Sequence, residues 1–132
     1  MKVLFICTGN AHRSPLAEAL LKKLRPDIEV DSAGLHVAIP ISQEAKRYLS
    51  TEKAVDYLKK YPESLDSKHL EEYDVIVAME QRHKDAALTK CPNCESKITV
   101  WNIADPYFKS IKHAEAIYRQ IKDKVTELAD SL

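Results

Sequence analysis

An uninterrupted apolar run near the N-terminus constrains the fold of this chain most strongly. Residues 3–6 are Val, Leu, Phe and Ile, and polar residues begin abruptly at Thr8. A strand that is apolar at consecutive positions has both faces covered, which is typical of a parallel sheet. Residues 74–79 repeat the pattern, and residues 28–32 and 97–101 are shorter candidates. The sequence therefore predicts four strands.

Helix-prone segments separate these strands. Ser14-Pro15 is typical of a helix start, with Ser14 as the N-cap, and Pro26 ends that helix. Three more helical segments are predicted, at residues 45–60 with a break near residue 50, at residues 80–90 and at residues 111–128. Alternating strands and helices form right-handed βαβ units. The predicted fold class is α/β, with three layers in which a four-stranded parallel sheet is flanked by helices.

Composition narrows the class of protein further. The chain has 132 residues, long enough for one domain spanning residues 1–132, and its 20 Lys+Arg balance 20 Asp+Glu. The absence of a basic block argues against nucleic acid or a membrane surface as a partner. No run approaches a membrane span, and the start of the chain shows no signal-peptide core. We expect a cytoplasmic monomer.

Three cysteines are an odd number for a disulfide framework, so reactive thiols are expected instead. Cys91 and Cys94 are separated by only two residues. This pair could be half of a zinc site or a thioredoxin-type redox pair. No second Cys pair follows, however, and a strand rather than a helix comes next. A knuckle-like turn, sometimes oxidised, is the plainest interpretation, and we predict no metal and no cofactor.

Cys7 and Arg13 bracket a short segment after the first predicted strand. A loop that leads from a strand into a helix binds anions through inward-pointing backbone N–H groups and the helix dipole. The same field stabilises a thiolate, so Cys7 is predicted to be an ionised nucleophile. The planar fork of Arg13 fits two phosphate oxygens. The predicted phosphate-binding loop contains Thr8, Gly9, Asn10, Ala11 and His12 between these two residues.

Two residues in this loop are suited to positive φ angles. Gly9 and Asn10 both accept the left-handed conformation, which a loop curled around an anion requires. The imidazole of His12 is expected to point outward, although a phosphate contact or a second acid is an alternative.

Asp105 follows the fourth predicted strand and should reach the same edge of the sheet as Cys7. A thiolate that attacks phosphate needs an acid to protonate the leaving oxygen, and Asp105 is the natural candidate. Pro106 would stiffen this loop. Tyr107 and Phe108 place aromatic rings where an aryl phosphate would bind.

Taken together, these motifs resemble the low molecular weight protein tyrosine phosphatases. In chain order they are residues 7–10, 13–18, 31–34, 73–79 and 105–107. The resemblance extends across most of the chain and implies a two-step, metal-free hydrolysis of phosphotyrosine in proteins and of small phosphomonoesters.

The resemblance also implies residue roles. Cys7 would be the nucleophile, Arg13 the phosphate clamp and Asp105 first an acid and then a base. Ser14 would be the hydroxyl partner of the thiolate, and Tyr107 would line the substrate slot.

Other positions support the loop or depart from the family. Asn10 and Ser32 would hydrogen-bond to hold the loop in its curl. The family commonly has a second Cys where this chain has His12. Residues 35–68 match poorly, so no pocket residue can be transferred there.

Two other functions remain possible from sequence. Thioredoxin-coupled arsenate reductases share the Cys-to-Arg loop and use two resolving cysteines, which Cys91 and Cys94 could supply to Cys7. A catalytically silent anion-binding module is disfavoured, because the nucleophile, clamp and candidate acid are all present.

Overall fold

The computed structural model describes residues 1–107 and 109–132, so Phe108 lies outside the described residues. Its four strands form one parallel sheet in the order β2-β1-β3-β4. This confirms the predicted fold class. The strands are β1 (Lys2–Cys7), β2 (Glu29–Gly34), β3 (Val75–Ala78) and β4 (Ile98–Val100), and the helices are α1 (Arg13–Leu24), α2 (Gln43–Thr51), α3 (Gln81–Lys90) and α4 (Ile111–Ser131).

Alternate residues of β1 enter two apolar cores on opposite faces of the sheet. Val3, Phe5 and Cys7 belong to the first core, where α1 and α4 pack together. Leu4 and Ile6 belong to the second core, which α3 covers. Since all these side chains are at most 2% exposed, β1 is covered on both sides. Its continuous apolar run therefore reflects a central position in the sheet.

The start of α1 differs from the sequence prediction. The helix begins at Arg13 with His12 in the N-cap position, so the assignment of Ser14 as N-cap was wrong. Pro15 is the third helical residue, where no intrahelical acceptor exists for an N–H group and proline costs nothing. The Ser14 hydroxyl is thereby free to contact Cys7.

The other strands and helices lie close to their predicted positions, except that residues 52–60 do not form a second α-helical segment. The predicted break near residue 50 corresponds to the end of α2 at Thr51, after which a short 3-10 helix covers Val55–Tyr57. No helix among the described residues has the length and apolar character needed to cross a membrane.

Candidate active site

The loop between β1 and α1 is held from outside through its carbonyl groups. The N–H groups of Leu35 and His36 donate to the carbonyls of Cys7 and Thr8, at 3.3 and 2.9 Å. The N–H of Ser42 donates to the Ala11 carbonyl at 2.8 Å. At the other end of the loop, the first N–H groups of α1 have no acceptor within the helix. With its carbonyls engaged outward and a helix N-terminus at its end, the loop is suited to an anion.

Positive φ occurs at only one of the two predicted loop positions. Asn10 has φ of 52°, whereas neither described glycine has a positive φ, so that part of the prediction was wrong for Gly9. Gly34 is required for a steric reason. A Cβ at this position would lie 2.7 Å from the Asn10 N atom and 2.8 Å from the Thr8 O atom. The end of β2 therefore packs directly against the loop backbone, with no room for a side chain.

The side chain of Asn10 connects the loop to its surroundings. Its Nδ2 donates to Ser14 Oγ and to Ser32 Oγ, both at 2.8 Å. Ser14 Oγ also lies 2.8 Å from Cys7 Sγ. Because one Ser14 lone pair accepts from Asn10, the Ser14 hydroxyl proton can be donated to the sulfur. Asn10 thus orients the hydroxyl that faces the candidate nucleophile.

Lys59 supports Asn10 from residues 35–68, the stretch in which the family resemblance identified no pocket residue. Its ammonium donates to Asn10 Oδ1 at 2.9 Å and to the Ser32 carbonyl at 2.8 Å. It also pairs with Glu63 at 2.6 Å and lies 3.8 Å from the buried Glu18 carboxylate. A buried cation must be paired with acceptors, and these groups satisfy Lys59. No pattern in the sequence distinguishes Lys59 from the other lysines, so this role could not be predicted.

The Arg13 side chain is 2% exposed, and its guanidinium is fixed from one side. Its Nη1 donates to Glu80 Oε2 at 2.6 Å and to the Ile103 carbonyl at 2.8 Å. Its Nη2 donates to Thr8 Oγ1 at 3.2 Å and lies 3.7 Å from Asp105 Oδ2. Both hydrogens of Nη1 are therefore donated to Glu80 and Ile103, so Nη1 has none left for a ligand. The rest of the guanidinium faces the loop and Asp105.

Glu80 is a site residue that sequence reasoning missed. Desolvation raises the pKa of this carboxyl, but the hydrogen bonds and charges of Arg82 and Arg13 outweigh it and lower the pKa to about 2. Glu80 follows β3 at the same sheet edge as Cys7. Because ligands bind at the carboxyl ends of parallel strands, this position could have marked Glu80 as a site residue.

His83 links the start of α3 to the loop. Its imidazole is fully buried, and desolvation together with the Arg13 charge lowers its pKa to about 4. Its Nδ1 accepts from the Glu80 N–H at 3.0 Å, so in the neutral ring Nε2 carries the proton. Nε2 lies 2.9 Å from Thr8 Oγ1 and donates to it. Arg82 Nη2 donates to the same oxygen at 2.7 Å.

The candidate nucleophile and candidate acid line one pocket of about 240 Å³. Asp105 accepts from the Tyr107 N–H at 2.9 Å, which fixes its loop. The structure thus brings Asp105, which is distant in the chain, to the loop that carries Cys7, Arg13 and Ser14. The pocket is lined by Cys7, Thr8, Gly9, Ala11, His12, Arg13, His36, Ala38, Ile39, Asp105 and Tyr107.

The expectation that His12 points outward was wrong, because the residue is half-buried and lines the catalytic pocket. Its Nδ1 lies 3.2 Å from the Tyr118 hydroxyl, and its ring stands edge-on to Tyr107 at 6.0 Å between centroids. Burial lowers the pKa of His12, with the charge of Asp105 opposing the shift. His12 therefore forms part of the pocket wall and connects it to α4.

Cys91 and Cys94 form a disulfide, so the expected turn is oxidised and these two cysteines are not the reactive thiols that the odd count suggested. They precede β4 and so lie at the edge where the strands begin, whereas Cys7 ends β1 at the opposite edge. They also belong to the apolar core on the other face of the sheet. In this structure neither cysteine is therefore placed to resolve an oxidised Cys7, which argues against the arsenate reductase alternative. Among the described residues, no cluster of His, Cys, Asp and Glu could hold a metal ion.

Comparison with known proteins agrees with this geometry. The family model described as low molecular weight phosphotyrosine protein phosphatase matches residues 2–132. The protein tyrosine phosphatase Wzb of Salmonella typhi is 32% identical, with 99% of this chain and 93% of Wzb covered. A protein-arginine-phosphatase of Geobacillus stearothermophilus is 34% identical, with the same coverage.

A solved structure gives the same result for the fold. Vibrio vulnificus Wzb in complex with benzylphosphonate superposes with a TM-score of 0.87 at 29% identity, covering 99% of this chain and 98% of that chain. Fold and site thus define a cysteine-dependent phosphatase. The chain belongs to the low molecular weight phosphotyrosine protein phosphatase family. It is a phosphatase rather than an arsenate reductase.

Proposed function

We propose that this chain hydrolyses phosphotyrosine in proteins, and small aryl phosphates, through a phosphocysteine on Cys7. The observation that carries the proposal is the convergence of Cys7, Arg13 and Asp105 on one pocket at the N-terminus of α1. Residues 1–132 then act as one catalytic domain, and the proposed location is cytoplasmic.

In the first step, the Cys7 thiolate attacks phosphorus on the side opposite the leaving oxygen. A sulfur–phosphorus bond forms and the phosphorus–oxygen bond to the tyrosine breaks. Asp105 gives its proton to the departing phenolic oxygen. Arg13 and the loop N–H groups stabilise the charge on the three equatorial oxygens, because they are already oriented before substrate binds.

In the second step, water attacks the phosphocysteine and Asp105 takes its proton. The sulfur–phosphorus bond breaks, and inorganic phosphate and the thiolate are released. The Ser14 hydroxyl, 2.8 Å from Cys7 Sγ, donates to the sulfur as its negative charge returns. The loop that binds substrate thus also stabilises the leaving thiolate.

Tyrosine is the preferred leaving residue because the pocket walls are apolar. Ala11, Ala38 and Ile39 line it together with Tyr107, and an aryl ring fits such walls. The relative bound to benzylphosphonate holds a ligand of the same chemical kind. Phosphoarginine is the second candidate, since one relative is named as an arginine phosphatase.

The test compares a phosphotyrosine peptide, the matching phosphoarginine peptide and p-nitrophenyl phosphate as substrates for the parent and for Cys7→Ala. We expect the parent to hydrolyse the phosphotyrosine peptide and p-nitrophenyl phosphate, and Cys7→Ala to release no phosphate from any of them. A higher kcat/KM for the phosphoarginine peptide would assign the chain to arginine instead. Full activity in Cys7→Ala would refute the phosphocysteine.

A further inference from the structure

A surface groove continues from the catalytic pocket towards the space between α2 and α4. Pocket and groove share His12, Ile39 and Tyr107, which form the wall between them. The first part of the groove measures about 370 Å³ and reaches Ile111 and Tyr118. A second depression of about 350 Å³ continues along the two helices and shares the last two of these residues.

Large apolar side chains are exposed around this groove. Ile111 is 60% exposed, Tyr107 45% and Ile39 39%, although each could have been polar at no cost to the core. Apolar side chains gathered around a depression mark a binding surface more often than scattered ones do. The floor is fixed in advance, because the Tyr118 ring is 1% exposed and its hydroxyl lies 3.2 Å from His12 Nδ1.

The position of the groove restricts what it can hold. The phosphate binds at the Cys7 loop on the floor of the pocket, so the polypeptide that carries it crosses the surface at the pocket mouth. The groove begins at that mouth. Its outer part carries Glu44 and Glu115 together with Arg47 and Arg119, and this mixture favours neither an acidic nor a basic partner. Because these charges balance and the large exposed side chains around the groove are apolar, an apolar side chain gains most free energy from being buried there.

We propose that the groove binds a large apolar side chain of the substrate polypeptide, close in sequence to the phosphorylated residue. This inference rests on the proposed protein phosphatase function and adds to it a preference for apolar flanking residues. Substitution of Ile111 tests this preference most directly, because Ile111 lines both parts of the groove and lies outside the catalytic pocket.

Two phosphotyrosine peptides that differ only in their flanking residues provide the test. One carries leucines beside the phosphotyrosine and the other carries serines. Burial of one aliphatic side chain predicts a KM for the leucine peptide that is roughly 5–10-fold lower in the parent. Ile111→Ser should remove most of that difference, whereas Ile111→Leu should keep it.

Controls separate this inference from the proposed function. Leu24→Ser changes an exposed apolar residue at the far end of α1 and should behave like the parent. Hydrolysis of p-nitrophenyl phosphate should be unchanged in Ile111→Ser. Equal KM values for both peptides in the parent, or a preference that survives Ile111→Ser, would overturn the groove inference alone. A parent that hydrolyses p-nitrophenyl phosphate but neither peptide would overturn both proposals.

Discussion

The Asn10 side-chain amide donates to Ser14 Oγ at 2.8 Å, and that oxygen lies at the same distance from Cys7 Sγ. Asn10 can reach it because its own backbone adopts φ of 52°, which turns the loop around its centre. Asn10 thus both turns the loop and orients the Ser14 hydroxyl proton towards the Cys7 sulfur.

Ser14→Ala should therefore lower kcat. A hydrogen bond to a charged group contributes about 1.5–3 kcal/mol, which corresponds to a roughly 10–100-fold loss. Ser32→Ala is the matched control, because Ser32 also accepts from Asn10 but the described contacts of Ser32 do not include Cys7. Steady-state hydrolysis of p-nitrophenyl phosphate measures both variants. Equal losses in the two would mean that Ser14 acts only through the loop framework.

Asp105→Asn should reduce kcat by about 10²–10⁴-fold for poor leaving groups, which is the usual contribution of a general acid. The loss should be smaller for p-nitrophenyl phosphate than for phenyl phosphate, because the more basic phenolate needs its proton more. Comparing these two substrates checks the prediction. A uniform loss would instead indicate that Asp105 serves to position Arg13, 3.7 Å away.

Gly34→Ala should disrupt the phosphate loop. The new Cβ would lie 2.7–2.8 Å from backbone atoms of Thr8, Gly9 and Asn10, and backbone cannot rotate away as a side chain can. Overpacking of this kind costs about 1–3 kcal/mol of stability. Gly9→Ala is the control, because its Cβ would meet its nearest neighbour at 3.8 Å. Denaturant unfolding of both variants measures the difference, and equal stabilities would contradict the close approach.

The buried imidazole of His83 should make the free energy of unfolding depend on pH. Desolvation and the Arg13 charge lower its pKa to about 4 in the folded chain, below the 6.5 of an unperturbed histidine. The unfolded chain therefore binds the extra proton first as pH falls. The stability contribution is complete above about pH 6.5 and is lost on going towards pH 4.

The measurement is the free energy of unfolding at several pH values between 6.5 and 4.5. Its decrease with falling pH should be weaker in His83→Asn than in the parent. Some dependence should remain, because burial also lowers the pKa of His12. Identical slopes in the two proteins would show that the His83 imidazole is accessible to protons in the folded state.

Peroxide should inactivate the enzyme with poor recovery on adding dithiothreitol. An oxidised Cys7 has no neighbouring thiol at position 12, and the other two cysteines pair with each other at the opposite edge of the sheet. Cys91→Ser and Cys94→Ser should therefore lose activity at the same rate as the parent. Thiol-dependent recovery in the parent that disappears in either variant would contradict this arrangement.

The sequence by itself determined the sheet and the position of the loop. Local physical rules were sufficient there: an uninterrupted apolar strand must be covered on both sides, and parallel strands present their carboxyl ends at one edge. These rules predicted that Cys7 and Asp105 would lie on the same side of the molecule, although 98 positions separate them in the chain.

Only the tertiary structure revealed the side chains that support the site beyond Asn10, Ser14 and Ser32, which the family resemblance had implied. Glu80, His83 and Lys59 are common polar residues without a local pattern, and they reach the loop only because separate segments fold against it. The assignment of Ser14 as the N-cap failed for a different reason, because its hydroxyl contacts Cys7 at the start of the same loop instead of capping the helix. Hydrogen bonds between distant segments leave no periodicity in a sequence, and so only the folded chain reveals them.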